Sequence, residues 1–269
     1  MYLARVSRAL VMQPYEGVER VVERVARRRE PDLPAWPRGF EVTGAWAEQL
    51  HRLIGAAWPC EERHAFADVW ADALRDLAGQ GLEIGRGSFG SWDDGDVQLA
   101  EAAWCLVRHL RPGRTIETGV ARGLTTRVVL EALERNQAGH LWSIDLPPLV
   151  KRELAREVGA AVPERLHARW TLLAGSSRRR LPRLIADVGQ VGLFVHDSMH
   201  TTRNLGFELA HAWPALAPGG AVLIDDVEKN LATDRFLRSH PEVSAVVTMA
   251  SDAAAAVACL HAPAQRPRG

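Results

Sequence analysis

The chain has 269 residues, with 33 basic and 33 acidic side chains and a formal net charge of +0. Because this balance gives no general attraction for phosphate, it argues against nucleic acid as a partner. The 47 % of hydrophobic residues is ordinary for a globular protein. No apolar run reaches the ~18 to 20 residues that span a bilayer, so we expect no membrane partner.

Three cysteines are spread along the chain, at Cys60, Cys105 and Cys259. Their odd number and wide spacing, without a CxxC pair, favour neither a disulfide framework nor a zinc knuckle. Such usage fits a reducing compartment, and we expect a cytoplasmic protein. The first 30 residues mix arginine with glutamate and lack a continuous apolar stretch, which is unlike a secretory signal.

Residues 1–95 are predicted to form a helical extension or cap. Its first segment carries four valines on one helical stripe, at Val18, Val21, Val22 and Val25. This pattern predicts a helix that docks through the valines and leaves its arginines in water; an arm that contacts a partner subunit or an acidic ligand is the alternative. A proline-rich connector follows at Pro31–Gly39, then helical patterns over 43–79. The glycine-rich segment Gly79–Gly95 is predicted to be a loop.

From residue 96 short apolar strands alternate with helices, which predicts a mostly parallel α/β sheet with helices on both faces. The expected strands are Thr115–Thr118, His140–Asp145, Trp170–Ala174, Gly192–His196, Ala221–Asp225, Val243–Met249 and Ala254–His261. The expected helices are Val97–Leu110, Thr125–Asn136, Leu149–Val158, Arg179–Val188, Asn204–Leu216 and Lys229–Ser239. The last two strands look like an antiparallel hairpin. This domain is expected to cover 96–262, with a disordered tail at 263–269.

The ends of the strands are the informative positions, because ligands of open α/β sheets bind beyond the carboxyl ends of the strands. The first strand ends in a loop from Glu117 to Thr125. In this loop Gly119 allows a tight turn, and Gly123 allows strand, ligand and helix to approach closely. The GxxxG spacing differs from the GxGxxG of dinucleotide-binding folds. A plain tight turn between strand and helix is the alternative for these glycines.

The second strand ends in Asp145, about 20 residues beyond Gly123, where a carboxylate can accept both hydroxyls of a ribose. Leu146 offers an apolar surface beside the sugar. The third strand ends in Ser176 and Ser177, small polar residues that suit the edge of an adenine. An aspartate or serine in these places can also cap a helix. With the glycine loop at the expected offset, we expect a nucleoside site.

The fourth strand ends in the sequence HDSMH, residues 196–200, and the fifth in Asp225 and Asp226. Parallel neighbouring strands end on the same rim, so Asp197 is expected to meet these two carboxylates. Close carboxylates repel one another unless protons or a cation intervene. A hard divalent ion such as Mg²⁺ resolves that conflict. The alternative is that each aspartate caps its own loop.

These residues, in this order, resemble the class I S-adenosylmethionine (SAM)-dependent methyltransferases over about residues 92–262. The likeness rests on the glycine loop, Asp145, the Asp197 strand end and the Pro-Gly-Gly turn at 218–220 before the fifth strand. Within that class the chain is most similar to metal-dependent O-methyltransferases of the catechol and macrocin types. The resemblance implies a Rossmann-like sheet of seven strands, mostly parallel with an antiparallel last strand.

The resemblance also implies roles for the residues at the strand ends. Glu117, Gly119 and Asp145 would hold the methionine and ribose portions of SAM. The full set of expected SAM-binding residues is Glu117, Gly119, Ala121, Gly123, Thr125, Asp145, Leu146, Ser176 and Asp197. The implied metal ligands are Asp197, Asp225 and Asp226, with the ion, Mg²⁺ or another divalent cation, gripping a substrate hydroxyl.

One position departs from the pattern of macrocin-type enzymes, which carry a second acid two residues beyond the first metal aspartate. This chain has Met199 there, so His200 is expected as the general base, a role that suits a histidine near neutral pH. A helix-capping His200 stays open as an alternative, and so does catalysis by metal and positioning alone.

The expected function is SAM-dependent methylation of a small-molecule hydroxyl, sugar or phenolic, on a secondary metabolite. A homodimer through the N-terminal helices is also expected. Two alternatives stay open: a nicotinamide-dependent oxidoreductase on a Rossmann sheet, and a non-catalytic SAM-binding protein in which Met199 marks a lost base. The GxxxG spacing and the Pro-Gly-Gly turn before Asp225 argue against the oxidoreductase.

Overall fold

The centre of the protein, in a computed structural model, is a sheet of seven strands. The structure describes residues 14–30, 33, 41–90, 92–146, 152–249 and 256–263. The strands are β3 (Arg114–Thr118), β4 (His140–Asp145), β5 (Trp170–Ala174), β6 (Val191–His196), β7 (Leu216–Ile224), β8 (Ser244–Met249) and β9 (Ala256–His261), in the order β5-β4-β3-β6-β7-β9-β8. Strands β3 to β7 pair in parallel, whereas β9 runs antiparallel to β7 and β8. The predicted Rossmann-like fold, with its antiparallel closing hairpin, is therefore confirmed.

Helices cover both faces of this sheet. They are α1 (Pro14–Arg28), α2 (Trp46–Leu53), α3 (Glu62–Gly79), α4 (Val97–Leu110), α5 (Leu124–Arg135), α6 (Arg152–Ala155), α7 (Ser177–Val188), α8 (Thr202–Ala215) and α9 (Ala232–Ser239), with 3₁₀ turns at Glu164–Arg169 and Val227–Lys229. Helix α4 begins where predicted, because the Asp96 side chain accepts hydrogen bonds from the backbone N–H of Gln98 and Leu99. Among the described residues, no helix combines the length and apolarity needed to cross a membrane.

Alternate residues of the central strands enter two separate hydrophobic cores. In β6, Leu193 and Val195 are buried with α4 and α5, whereas Phe194 between them is buried with α7, α8 and α9. This follows from the two-residue period of a strand, whose successive side chains point to opposite faces. A sheet buried on both faces explains why the strands are almost wholly apolar.

Three predicted elements differ from the structure. The helix predicted at Lys229–Ser239 is interrupted, and its regular part starts only at Ala232. The helix predicted at Leu149–Val158 is reduced to the single turn α6, while residues 149–151 lie outside the described part. The segment Gly79–Gly95 contains an antiparallel hairpin instead of a loop, formed by β1 (Gly85–Phe89) and β2 (Trp92–Asp94). The predicted tail lies outside the described residues from 264 onward.

Arg122, from the glycine loop, holds the β1–β2 hairpin in place. Its side chain is 6 % exposed and donates to the backbone carbonyls of Glu83 and Ser88. The same guanidinium pairs with Asp94 at 3.3 Å and with Glu157 at 2.7 Å. A buried arginine needs such partners, so the hairpin and the glycine loop form one packed unit.

Helix α1 packs through the opposite face from the one that was predicted. Val18 and Val21 are 57 % and 54 % exposed, and Val22 and Val25 also face solvent. Glu16 and Glu23 are 4 % and 2 % exposed instead. The helix docks through its acids because Arg178, Arg179 and Arg203 provide cationic partners on α7 and α8. The prediction of a docking helix holds, but the docking face was wrong.

Candidate active site at the carboxyl ends of the strands

The glycine loop and the end of β6 are in backbone contact. The Asp197 N–H donates to the Thr118 carbonyl at 2.8 Å, and the Gly119 N–H donates to the Ile144 carbonyl at 2.9 Å. Gly119 has a φ of +89°, and a Cβ atom there would lie 1.8 Å from the Asp197 carbonyl oxygen. Only glycine fits this position. The close approach brings the loop beside the residues that follow β6.

Glu117 is buried beneath this loop, and only one of its two carboxylate oxygens accepts hydrogen bonds from the described residues. Its Oε2 accepts hydrogen bonds from Thr126 Oγ1 at 2.8 Å and Ser143 Oγ at 2.6 Å. Its Oε1 is buried and has no hydrogen-bond partner among the described residues. Burial raises the pKa of Glu117 to about 7, against the effect of the two hydroxyl donors. Glu117 therefore offers a free acceptor for a cationic group.

Asp145 closes the other side of the glycine loop. Its Oδ2 accepts from the Val120 N–H at 2.8 Å and from the Ala121 N–H at 3.2 Å. Ala121 adopts a left-handed φ of 47°, which turns its N–H toward this carboxylate. Burial raises the pKa of Asp145, although the two backbone donors and Arg20 oppose that shift. The loop then enters α5 at Gly123, and Thr125 lies buried in the first turn of this helix.

Helix α1 lies over Leu146 and Ser176, two residues expected at the nucleoside. Arg20 Nη2 donates to the Leu146 carbonyl at 2.7 Å. The Ser176 N–H donates to Glu16 Oε2 at 2.9 Å, while Ser176 Oγ is buried without a partner within the described ranges. Residues 14–20 thus contribute two charged side chains to the rim, which the sequence did not predict.

Asp197, His200 and Asp225 form an acidic cluster at this rim. One potential ligand atom from each lies within 4.8 Å of the others. Asp225 is 7 % exposed, and its Oδ1 is buried without a partner in the part of the chain described. Burial, together with the neighbouring carboxylates, raises the pKa of Asp197 and of Asp225 well above the ordinary value. These donors fit a cation that would relieve their mutual repulsion.

Asp226 lies beside this acidic cluster and already has partners. Its Oδ2 accepts from Lys229 Nζ and lies 3.2 Å from His200 Nε2. Burial lowers the pKa of His200 to about 3, although Asp226 opposes that shift, so the imidazole is neutral. Of the three predicted metal ligands, Asp197 and Asp225 converge with His200, and Asp226 contacts the group through His200.

Glu208, which sequence reasoning missed, supports the residues that precede the cluster. It is fully buried on α8 and lies 2.7 Å from His196 Nδ1. Its carboxylate accepts from Thr118 Oγ1 at 2.7 Å, Ser198 Oγ at 3.0 Å and Asn204 Nδ2 at 2.9 Å. The available signal was an acid four residues after Asn204, on the same helix face.

A cavity of about 510 Å³ lies at the opposite end of the sheet. Its lining includes Pro112, Gly192 and Gly219, where β3, β6 and the body of β7 begin. None of the candidate site residues lines it, so its size alone does not make it the active site. The chemistry-bearing side chains meet at the carboxyl ends of the strands.

A family model described as "Methyltransferase domain" matches residues 116–227. The match starts in β3 and contains every residue of the acidic cluster. Residues 116–227 therefore resemble a methyltransferase domain. The predicted resemblance to methyltransferases, and with it the predicted enzyme class of methyltransferase, is thereby confirmed.

Solved structures share the fold of this seven-stranded domain. The cofactor-bound Rv0187 from MTB is 18 % identical, with a TM-score of 0.55 over 81 % of this chain and 96 % of that one. An O-methyltransferase from Bacillus cereus in complex with SAH is 15 % identical, with a TM-score of 0.52 over 80 % and 98 %. The O-methyltransferase TomG from Streptomyces achromogenes, involved in tomaymycin synthesis and solved with SAM, is 14 % identical, with a TM-score of 0.52 over 72 % and 89 %. No curated protein matches the chain.

Proposed function

We propose that this protein is a SAM-dependent O-methyltransferase that holds a divalent cation, Mg²⁺ or a similar ion, at Asp197, His200 and Asp225. The observation that carries the proposal is this cluster of donors within 4.8 Å beside the glycine loop, with the buried Asp225 Oδ1 lacking a partner among the described residues. Two carboxylates and a neutral imidazole are oxygen and nitrogen ligands that divalent cations accept. Asp226 would orient His200 from outside the cluster.

The glycine-loop residues fit SAM. The free Glu117 Oε1 can accept from the ammonium of the methionine portion, and the buried Asp145 can accept from the ribose hydroxyls. Gly119, Ala121, Gly123 and Thr125 would line the methionine side, with Leu146, Ser176 and Asp197 beside the nucleoside and the sulfonium. When bound, SAM supplies a methyl group on a sulfonium centre. The neighbours solved with SAM or SAH support this assignment.

The acceptor is proposed to be a hydroxyl of a small molecule, phenolic or sugar. Trp92 is 39 % exposed on the hairpin, and the Arg27 guanidinium lies over its ring at 5.0 Å. The positive charge of Arg27 contributes to lowering the pKa of His200, after the larger effect of burial. An exposed indole suits a planar acceptor. When bound, a divalent cation supplies Lewis-acid polarisation of an acceptor oxygen.

The role of the protein's own residues would be positioning and proton control. Asp197 and Asp225 would fix the acceptor oxygen against the methyl donor, and such alignment supplies much of the rate of a displacement. His200 would act as a ligand in its neutral form, which is the form that binds metal ions. The role of general base for His200 is the second possibility, because its imidazole lies 3.2 Å from Asp226, whose carboxylate would stabilise the imidazolium.

Two measurements test this function. Calorimetric titration with SAM and with NAD distinguishes a methyltransferase from an oxidoreductase; we expect SAM to bind and NAD not to bind. Transfer of labelled methyl groups from SAM to a panel of phenols and sugars, with Mg²⁺ or after chelation, then tests catalysis. Full turnover after exhaustive chelation would contradict the proposed role of a divalent cation. Tight SAM binding without transfer to any acceptor would indicate a non-catalytic SAM-binding protein.

We also propose a cytoplasmic homodimer that binds neither nucleic acid nor membrane. The three cysteines are free thiols, which fits a reducing compartment. A second copy would cover the exposed valines of α1, including Val18 and Val21. Sedimentation velocity is expected to show a dimer that Val21→Glu converts to a monomer. A monomeric wild-type protein would contradict this proposal.

A further inference from the structure

Two cysteines and two histidines meet beside α4, and all of them are buried except one histidine, which is half-buried. His51 lies in the last turn of α2, Cys60 precedes α3, and Cys105 and His109 lie on α4. The donor atoms of His51, Cys60 and Cys105 lie within 4.8 Å of one another. Cys60 Sγ is 3.3 Å from His109 Nε2, and the rings of His51 and His109 are 4.9 Å apart. We call these four residues the thiol–imidazole cluster.

The arrangement of His51 points to a ligand in this cluster. Its side chain is fully buried, and Nδ1 lies 2.6 Å from the Ala47 carbonyl, so Nδ1 carries the proton. The other nitrogen, Nε2, is therefore a lone-pair acceptor, and it has no hydrogen-bond partner in the described part of the chain. Metal-ligating histidines typically donate their second ring N–H to a backbone carbonyl in this way. An unsatisfied buried acceptor otherwise costs free energy.

The spacing of the other donors fits a shared ion. Cys105 and His109 are four residues apart on one helix, so both side chains project from the same face. In a tetrahedral zinc site with Zn–S of about 2.3 Å and Zn–N of about 2.0 Å, neighbouring ligand atoms lie about 3.5 Å apart. The Cys60 Sγ to His109 Nε2 distance of 3.3 Å is close to that separation, and the ligand atoms of His51, Cys60 and Cys105 lie within 4.8 Å of one another.

We propose that the thiol–imidazole cluster is a structural zinc site. Two thiolates and two neutral imidazoles would balance the charge of Zn²⁺, which avoids a net charge in the interior. Sulfur and imidazole donors select zinc over Mg²⁺ or Ca²⁺. Four protein ligands leave no open position, which is the form of structural zinc sites. The ion would link α2 and the start of α3 to α4.

The test uses the full-length protein purified without chelator. Elemental analysis is expected to find about one zinc per chain. Exchange with Co²⁺ should give the thiolate-to-cobalt charge-transfer absorption of a tetrahedral site. The acidic cluster cannot give that absorption because it contains no sulfur, so an Asp225→Asn variant should keep it. Failure of the proposed methyltransferase function would leave this result unchanged.

Substitutions assign the signal to these residues. Cys105→Ser and His109→Gln are expected to lower zinc affinity at least tenfold and to lose the wild-type cobalt absorption. Cys259→Ser, at a buried free cysteine on β9, is the matched control and should retain both. A wild-type protein without a cobalt–thiolate absorption would overturn the proposal, and this measurement needs no variant to fold. A Cys60–Cys105 disulfide, or copper or iron in place of zinc, would also overturn it.

Discussion

Glu208 Oε2 lies 2.7 Å from His196 Nδ1, and both side chains are completely buried. Burial alone would raise the pKa of Glu208, but His196 and the hydrogen bonds from Ser177 and Thr118 lower it to about 2. The pair joins α8 to the ends of β3 and β6, directly before Asp197. This contact therefore helps to fix the position of the residues that lead into Asp197 of the acidic cluster.

Glu208→Ala is expected to destabilise the protein by about 3 to 5 kcal/mol, because it leaves His196 without its buried partner. Urea denaturation measures this loss. Because the pKa of Glu208 is lowered from its ordinary 4.5 to about 2, its contribution is present above pH 4.5 and is lost as pH falls toward 2. Glu48→Ala, at a side chain 45 % exposed, is the control and should cost little. Equal unfolding midpoints for Glu208→Ala and wild type would contradict this account.

Asp225→Asn is expected to stabilise the metal-free protein at pH 8. Burial and neighbouring acids raise the pKa of Asp225, so its ionised form costs stability above its ordinary pKa. Adding Mg²⁺ should raise the melting temperature of the wild type but not of the variant, and methyl transfer should fall strongly in the variant. Asp187→Asn is the control, because Asp187 is 68 % exposed on α7. An unchanged response to Mg²⁺ in Asp225→Asn would exclude Asp225 as a ligand.

SAM affinity is expected to weaken as pH falls through about 7, where Glu117 takes up a proton. The protonated carboxyl cannot pair with an ammonium, so the Kd should rise about tenfold per pH unit below that value. Glu117→Gln should bind SAM weakly and without this pH dependence. Calorimetric titration from pH 5.5 to 8.5 measures both effects, with Glu48→Gln as the control. If Glu117→Gln kept the wild-type pH profile, the pH dependence of SAM binding would have to come from a group other than Glu117.

The sheet and its rim were predictable because their signals are local. Short apolar strands separated by helices specify a sheet buried on both faces, and strand ends in parallel neighbours must share a rim. The strand ends in the sequence therefore predict that Glu117, Asp145 and Asp197 lie at one edge of the sheet. The parallel pairing of β3 to β7 and the antiparallel β9 follow the pattern that the resemblance implied.

Contacts between distant segments were not predictable in the same way. Cys60 and Cys105 lie close together in space although they are far apart in the sequence. No CxxC spacing in the sequence predicts that contact. The hairpin within Gly79–Gly95 is held by Arg122, which belongs to the glycine loop. The composition of Gly79–Gly95 alone therefore does not predict the hairpin. His200 lies in the acidic cluster with its Nε2 3.2 Å from Asp226, a contact between the ends of two different strands.

Helix α1 shows how a local pattern can be overridden by its partners. Its valines satisfy the periodicity of a buried stripe, yet Val21 is 54 % exposed and Glu16 is 4 % exposed. The acids face inward because Glu16 accepts from the Ser176 N–H and pairs with Arg179 at 3.1 Å. Buried charges of this kind are stable only when paired and hydrogen-bonded. The same contacts close α1 over the expected nucleoside residues.

Glu16→Ala is therefore expected to loosen α1 from the rim. The loss of two charge-assisted contacts should destabilise the docked helix by about 1 to 3 kcal/mol. Hydrogen–deuterium exchange should become faster in peptides from α1 and at the Ser176 amide, which loses its acceptor. Val25→Ala, on the exposed face of the same helix, is the matched control and should leave the Ser176 amide protected. If exchange at Ser176 is equally slow in Glu16→Ala, the Glu16 carboxylate is not what holds α1 against the rim, and the helix must be held by Glu23 and Arg203 instead.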